Sequence, residues 1–380
     1  MIKSFKVRLL PTKEQEMKMY QHIGSARFIF NYMLEMQNNQ YIETGKHLAF
    51  NDLIKRLTLL KKEDEYVWLN NVSRVTLERS CKDMDRAFYN FFQGRARLPK
   101  YKSKKHSKEV FATREDRMYF NEDTVKLEKI GRVKYQTNYD IPKGPGCKFV
   151  NSRISHINNK WILSFGMEWE NQPPVLTDIP MGIDVGIKTL ATVAFGDDKI
   201  VFQNINKSAR LRNLEKKRRY IQRVIFRKYR TNGSFENTKN IEKYMRIYKK
   251  LSYRIYCIRH DYLHKATHTL VSLHPSVVCI EHFTSAQLLK SKETRLLHRY
   301  LQDQAIGEFL RQIKYKCEWN GIPVVEADKY FPSSKTCSSC GEIKTDLKLS
   351  ERTYRCPHCG LEMDRDYNAA LNLMKYGVQH

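Results

Sequence analysis

The sequence predicts a multidomain α/β protein: a β-rich segment interrupted by a helical insertion, then a mixed α/β layer that carries a small metal-bound module. Three observations predict it. Residues from about 109 to 170 break into short alternating runs separated by Asn, Gly and Pro, whereas 12 to about 92 follow a helical pattern. From 181 onward, three strand-like runs precede two long helical patterns and then a strand, a helix and a strand. Near the C-terminal end, two Cys-x-x-Cys pairs stand 15 residues apart. A length of 380 residues exceeds one typical domain.

The elements follow in order. Phe5, Val7 and Leu9 alternate with Lys6 and Arg8, which predicts a strand over 3–10 with one buried and one basic face; Pro11 ends it. The helical region that follows offers Phe28, Phe30, Tyr32, Leu34, Leu53, Leu57, Leu60 and residues 88–92 as core candidates. The run 95–108, RARLPKYKSKKHSK, carries seven Lys/Arg and no acid, and its Pro99 breaks helix. Strands are expected at 124–127, 133–136, 148–157 and 161–169. With the strand at 3–10 they would form a small antiparallel β-barrel, so that 1–10 and 109–175 make one domain around a helical insertion at 11–108. Pro173–Pro180 reads as a linker.

The remainder, 178–380, reads as a second domain. Strands are expected at 181–185, 190–195 and 199–203, followed by two long helices. The second of these has apolar residues at 241, 245, 248, 251, 255, 258 and 262. A buried strand at 276–283, a helix at 301–320 and a strand at 322–327 come next. The cysteine module spans 330–362, and a last helix runs from about 368 to 376. Three meandering strands, helices, then strand–helix–strand describe an RNase H-like layer.

Charge bounds the partners. Lys and Arg number 68 against 41 acids, a net charge of +27. This points to a polyanion, nucleic acid before an anionic membrane surface. No run of 18 apolar residues suggests a membrane span, and MIKSFKVRLL lacks the apolar stretch of a signal peptide. Cys81, Cys147, Cys257, Cys279 and Cys317 stand singly and four others are grouped, the pattern of a reduced, cytoplasmic protein. Residues 207–265 hold 19 Lys/Arg and four acids. Lys216, Lys217, Arg218 and Arg219 lie there on a helix whose apolar stripe is Leu211, Leu214, Ile221 and Ile225. A solvated helix face is the bland reading, but so large an excess repels itself unless phosphates neutralise it. In the 95–108 run, Arg95, Arg97, Lys100, Lys102, Lys104 and Lys105 surround Tyr101, a composition suited to tracking a backbone without reading sequence.

Cys337, Cys340, Cys356 and Cys359 fit a zinc ribbon, with Gly341 and Gly360 closing the two knuckles. Four thiolates complete a tetrahedron and leave no open position, so one structural Zn2+ is expected. His358, inside the second knuckle, is not needed. Three acids then stand out. Asp184 lies between Ile183 and Val185 in MGIDVGIKT, Glu281 ends the apolar run 277–280, and Asp366 opens the last helix. Each alone reads more readily as a turn, strand-end or cap residue than as a catalytic one. Together, on central strands and a facing helix of one layer, they suit chemistry with two divalent cations, Mg2+ above all. Asp364 competes with Asp366 for the third place.

These residues together resemble the TnpB (OrfB) family of insertion-sequence nucleases, and the nuclease half of type V CRISPR effectors. The matching stretches are KVRLLPTKEQ (6–15), SARFIFNYML (25–34), DRAFYNFFQGRARLPKYKSKK (85–105), GIDVGIKTLAT (182–192), VVCIEHF (277–283), FPSSKTCSSCG (331–341) and RCPHCGLEMDRDYNAALNL (355–373). They span essentially the whole chain. The resemblance implies a β-barrel wedge domain, a helical recognition insertion, and a RuvC domain bearing the zinc ribbon. Asp184, Glu281 and Asp366 would be its Mg2+-holding catalytic acids. It also implies a transposon-encoded guide RNA that pairs with double-stranded target DNA, with the protein reading only a short flanking motif. Thr76, Arg79, Lys82 and Asp83, on the helix before the basic run, are candidates for that reading. His282 and Phe283 depart from the acid or Asn, then Leu, that often follow the Glu. An RNA-guided repressor without cleavage, a compact CRISPR effector and a strand-joining transposase are the competing readings.

Overall fold

The computed structural model describes residues 2–138, 140–141, 148–168, 173–231, 238–282, 305–348 and 351–380. The chain divides into two compact units, Met1–Glu170 and Asn171–His380. Among the described residues, no helix is long and apolar enough to cross a membrane.

The first unit begins with strand β1 (Ile2–Leu10), in which Phe5, Val7 and Leu9 are buried and the residues between them are not. This is the alternation a strand with one wet face requires. Helix α1 (Lys13–Thr44) starts at a capping box: the Thr12 side chain accepts from the Gln15 N–H, and the Gln15 side chain accepts from the Thr12 N–H. Gly45, at φ +66°, ends it in the left-handed conformation. Helices α2 (Phe50–Leu60) and α3 (Arg74–Phe92) follow, with a 3₁₀ turn between them. Then come β2 (Val110–Ala112), β3 (Tyr119–Phe120), β4 (Thr124–Leu127), β5 (Gly131–Gln136), β6 (Phe149–Ile157) and β7 (Lys160–Glu168).

The strands form a seven-stranded sheet in the order β2-β6-β7-β1-β5-β4-β3. β1 therefore sits in the middle, antiparallel to both β7 and β5, as the member the later strands lack. Helix α1 serves two cores. Its Met19, Ile23 and Ala26 pack with the sheet, while Ile29, Phe30, Met33 and Leu34 pack with α2 and α3. Phe92 departs from the expected core, being 46% exposed, while Phe88, one turn earlier, is buried.

The second unit holds a five-stranded sheet in the order β10-β9-β8-β11-β12. Strands β8 (Met181–Val185), β9 (Thr189–Phe195) and β10 (Asp198–Gln203) form an antiparallel meander. Helices α4 (Ala209–Thr231) and α5 (Lys239–Val271) follow, then β11 (Val278–Ile280), α6 (Ile306–Trp319) and β12 (Val324–Glu326). β11 runs parallel to both β8 and β12. Helix α5 changes partners along its length. Ile241 is buried and Tyr244, Met245 and Tyr248 pack against Ile221 and Ile225 of α4, while Leu263, Ala266, Leu270 and Val271 enter the sheet core. The buried face continues past 262 at the same helical spacing, through Leu263, Ala266 and Leu270. The last elements are β13 (Thr353–Arg355), β14 (Glu362–Asp364) and α7 (Arg365–Gln379).

Candidate active site and metal centre

Register alone brings two of the three acids together. Ile183 of β8 pairs with Ile280 of β11, so Asp184 and Glu281 are the next residues on adjacent parallel strands. The third acid comes from α7, which lies directly on β8. A methyl group at Gly182 would stand 2.0 Å from the Ala370 carbonyl oxygen and 2.3 Å from the Met374 nitrogen. Only glycine permits this approach of helix backbone to strand backbone. At the far end of the helix, a methyl group on Gly377 would stand 2.8 Å from the Cβ of Cys279. Close approach at these two glycines seats α7 on β8, which carries Asp184, and on β11, which Glu281 follows.

Asp364, not Asp366, caps the helix: its carboxylate accepts from the Tyr367 N–H at 2.9 Å and lies 3.5 Å from Lys199 Nζ. Asp366, in the first turn, is left to face the strand acids, with Arg352 Nη1 at 3.7 Å. Burial, then the charges of Glu281 and Asp366, push the Asp184 carboxyl well above the usual carboxylate range. Burial also raises Glu281, opposed by a 2.8 Å hydrogen bond from Ser333 Oγ and by a hydrogen bond shared with Asp184. Three oxygen-donor side chains lie close enough for the Asp366 charge to act on Asp184 and Glu281, with the Arg365 charge opposing. The donor set fits hard divalent cations.

The cysteines gather in two knuckles. Gly341 (φ +79°) and Gly360 (φ +71°) adopt the left-handed conformation, and their N–H groups reach back to the carbonyls of Cys337 and Cys356 at 3.0 and 3.2 Å. The four sulfurs lie within 4.8 Å of one another, with Cys337 3.6 Å from Cys359 and Cys340 3.6 Å from Cys356. Bonds of about 2.3 Å to a tetrahedral zinc would set sulfurs about 3.8 Å apart, so the cluster is able to bind such an ion. Among the described residues, Tyr354, Leu347 and Leu361 supply its apolar contacts. His358 is exposed. Among the described residues, this is the one group of three or more candidate ligands drawn so close; the carboxylates are more widely spread.

The expected nucleic-acid residues separate into two kinds. Lys82, Arg95, Arg97, Lys100, Lys104, Lys105, Lys216, Lys217 and Arg219 are exposed. Others are committed within the fold. Thr76 is 1% exposed and its hydroxyl donates to the Ala112 carbonyl at 2.7 Å, so it ties α3 to β2 rather than facing a ligand. Asp83 takes a two-pronged hydrogen bond from Arg153 at 2.8 and 3.0 Å. Arg79 lies 3.7 Å from Glu115. Lys102 places its ammonium 3.5 Å from the centre of the Phe30 ring, and burial lowers its pKa. Arg218 donates to Glu215 at 2.8 Å, and Arg259 reaches the same carboxylate at 3.2 Å. Glu215 is 7% exposed, an acid inside the basic hairpin that periodicity gave no sign of. Phe283 lies outside the described residues, and His282 lies 3.7 Å from Glu326.

Three family models match parts of the chain: OrfB_IS605, described as a probable transposase, over 164–292; a helix-turn-helix domain over 1–46; and the TNB domain of Cas12f1-like proteins over 307–373. A protein of Streptomyces pristinaespiralis named as an RNA-guided DNA endonuclease is 30% identical over 377 residues, covering 99% of this chain and 89% of that relative. The chain belongs to the TnpB (OrfB) family. The family member InsQ of Escherichia coli K12, also named as an RNA-guided DNA endonuclease, is 29% identical over 389 residues, covering 99% of this chain and 92% of its own. Among solved structures, the Cas12f1 chain of a Cas12f1–sgRNA–target DNA complex aligns with a TM-score of 0.62 at 13% identity, over 98% of both chains, which establishes a shared fold. Where the family's helix-turn-helix match falls, the structure has a strand followed by one continuous helix.

Proposed function

We propose that the protein is an RNA-guided DNA endonuclease in which Asp184, Glu281 and Asp366 carry the cleavage chemistry. The observation behind this reading is the meeting of the three acids at the ends of β8 and β11 and the start of α7. The sheet order β10-β9-β8-β11-β12 supports reading this layer as RNase H-like and RuvC-type. The seven-stranded sheet takes the wedge role and α1 to α3 the recognition role. Relatives matched over nearly the whole length are named for the same activity.

Burial raises the proton affinity of both Asp184 and Glu281, and a cation bound beside them would favour their charged forms. Asp366 closes the site from the helix side. Bound Mg2+ ions would activate the attacking water and stabilise the leaving oxygen of the phosphodiester. The four thiolates would hold a structural Zn2+. The exposed Lys and Arg of α4 and of the 95–108 run seat phosphates without reading bases. Sequence is then read by a guide RNA pairing with the target strand, the division of labour known for such enzymes.

The test is to purify the full chain with its bound RNA, sequence that RNA, and offer duplex DNA matching its variable end. Cleavage in Mg2+ that vanishes in Asp184→Ala, with target binding retained, is the expected result. Binding without Mg2+-dependent product from the unaltered chain would leave an RNA-guided repressor in its place.

A further inference from the structure

We propose that Ser333 is a positioning residue for Glu281, and that the cysteine module sets the second acid of the site through it. The inference rests on the nuclease reading of the three acids.

Glu281 stands just beyond β11, so strand pairing fixes its backbone on one side only. Its carboxylate is oriented by Ser333, whose Oγ donates to Oε1 at 2.8 Å from a position 5% exposed. One oxygen lone pair is thereby occupied, and the remainder of the carboxylate is turned toward Asp184 and the cation position.

Ser333 is itself clamped. The Asn372 side-chain amide donates to the Ser333 carbonyl at 2.8 Å and to the Thr336 carbonyl at 2.7 Å. Asn368 donates to that same Thr336 carbonyl at 2.7 Å and accepts from the Ser338 N–H at 2.9 Å. Thr336 folds back on the Pro332 carbonyl with both its N–H, at 3.0 Å, and its Oγ1, at 2.9 Å. Thr336 and Ser338 flank the metal ligand Cys337. Asn368 and Asn372 are 0% and 5% exposed, one helical turn apart on α7. Buried amides held in hydrogen bonds act as fixed spacers. Cys337 is thus joined to Glu281 by a short turn pinned to the helix that bears Asp366. The module does more than deliver Asp366 through β14: it reaches the acid just beyond β11 as well.

The test uses the full chain with its co-purified RNA. Mn2+ alone is titrated and the free ion followed by electron paramagnetic resonance, with Mg2+-dependent cleavage measured alongside. Ser333→Ala is expected to raise the Mn2+ needed for half-saturation, and the Mg2+ needed for half-maximal cleavage, by about tenfold or more. Target binding in EDTA and zinc content stay as in the parent chain. Ser333→Thr, which keeps the hydroxyl, restores both titrations. Parental titrations in Ser333→Ala would overturn the proposal, as would a Ser333→Thr variant no better than Ser333→Ala. The two readings separate cleanly. If Asp184→Ala and Glu281→Gln abolish cleavage while Ser333→Ala titrates like the parent, only the positioning role fails. If those acid variants still cleave, the nuclease site itself is wrong.

Discussion

Asp184 and Glu281 are neighbours across two parallel strands and share a hydrogen bond, although their numbers differ by 97. That pairing has a thermodynamic consequence. A carboxyl whose pKa is raised on folding binds its proton more tightly in the folded than in the unfolded state. Its contribution to stability is therefore fully present below the unfolded value of about 4 and is lost as pH rises through the raised folded value. In EDTA, the melting temperature of the protein should fall as pH rises above about 4 on account of this pair.

Asp184→Asn removes the charge and keeps the shape. In EDTA at neutral pH it should melt above the parent chain, and millimolar Mg2+ should stabilise the parent but not the variant. Cleavage by the variant should drop by about 10³-fold or more, the scale on which loss of one member of a catalytic constellation is felt. Differential scanning fluorimetry with and without Mg2+ measures the first effect. A variant less stable than the parent in EDTA would mean that the acid is not held against its own charge.

Gly182 tests the seating of the last helix. In Gly182→Ala the added methyl group meets backbone atoms of Ala370 and Met374, which have no side-chain freedom with which to retreat. The helix must lift from β8, with a loss of about 3 kcal/mol or more and cleavage lost with it. Denaturant unfolding of the full chain gives the number.

Much of this site was legible in sequence. The cysteine spacing, the MGIDV strand and the apolar run before Glu281 all carry local signals, and the strand bounds at 124–127 and 181–185 agree with the structure. What escaped has a common cause. Ser333, Asn368 and Asn372 are polar residues whose partners lie 30 to 52 positions away, so neither periodicity nor spacing marks them. Thr76 as a motif reader and Lys102 and Arg218 as backbone contacts are the readings that residue type invites, yet each is committed to a partner in the fold. The strands β2 and β3, of three and two residues, are too short to show alternation.

Removal of the metal from the cysteine module should cost the site more than a distant finger would. Among the described residues the module has little apolar core of its own, so its fold is expected to depend on a bound ion. Cys356→Ser should purify with less than one zinc per chain by elemental analysis, against one expected for the parent, and should expose the segment around 333–364 to limited proteolysis. Cleavage should fall with it, because Arg352 beside Asp366 and Ser333 beside Glu281 both belong to that segment.

The basic hairpin holds exposed cations beside anchoring ones. Lys216, Lys217 and Arg219 are exposed, whereas Arg218 is bound to the buried Glu215 together with Arg259. Replacing Lys216, Lys217 and Arg219 with Ala should leave melting unchanged within about 0.5 kcal/mol. It should weaken nucleic-acid binding and flatten its dependence on salt by a slope of roughly 0.7–0.9 for each phosphate no longer neutralised. Arg218→Ala should do the reverse. Removing one partner of a charge cluster around a buried acid is destabilising by about 3–5 kcal/mol at full burial, and by less here because Arg218 itself keeps 23% of its side-chain exposure. The salt slope should barely move. Filter binding across a salt series, paired with thermal melts of the same variants, distinguishes the two roles. An equal flattening of the salt slope in Arg218→Ala would place that guanidinium on a phosphate instead.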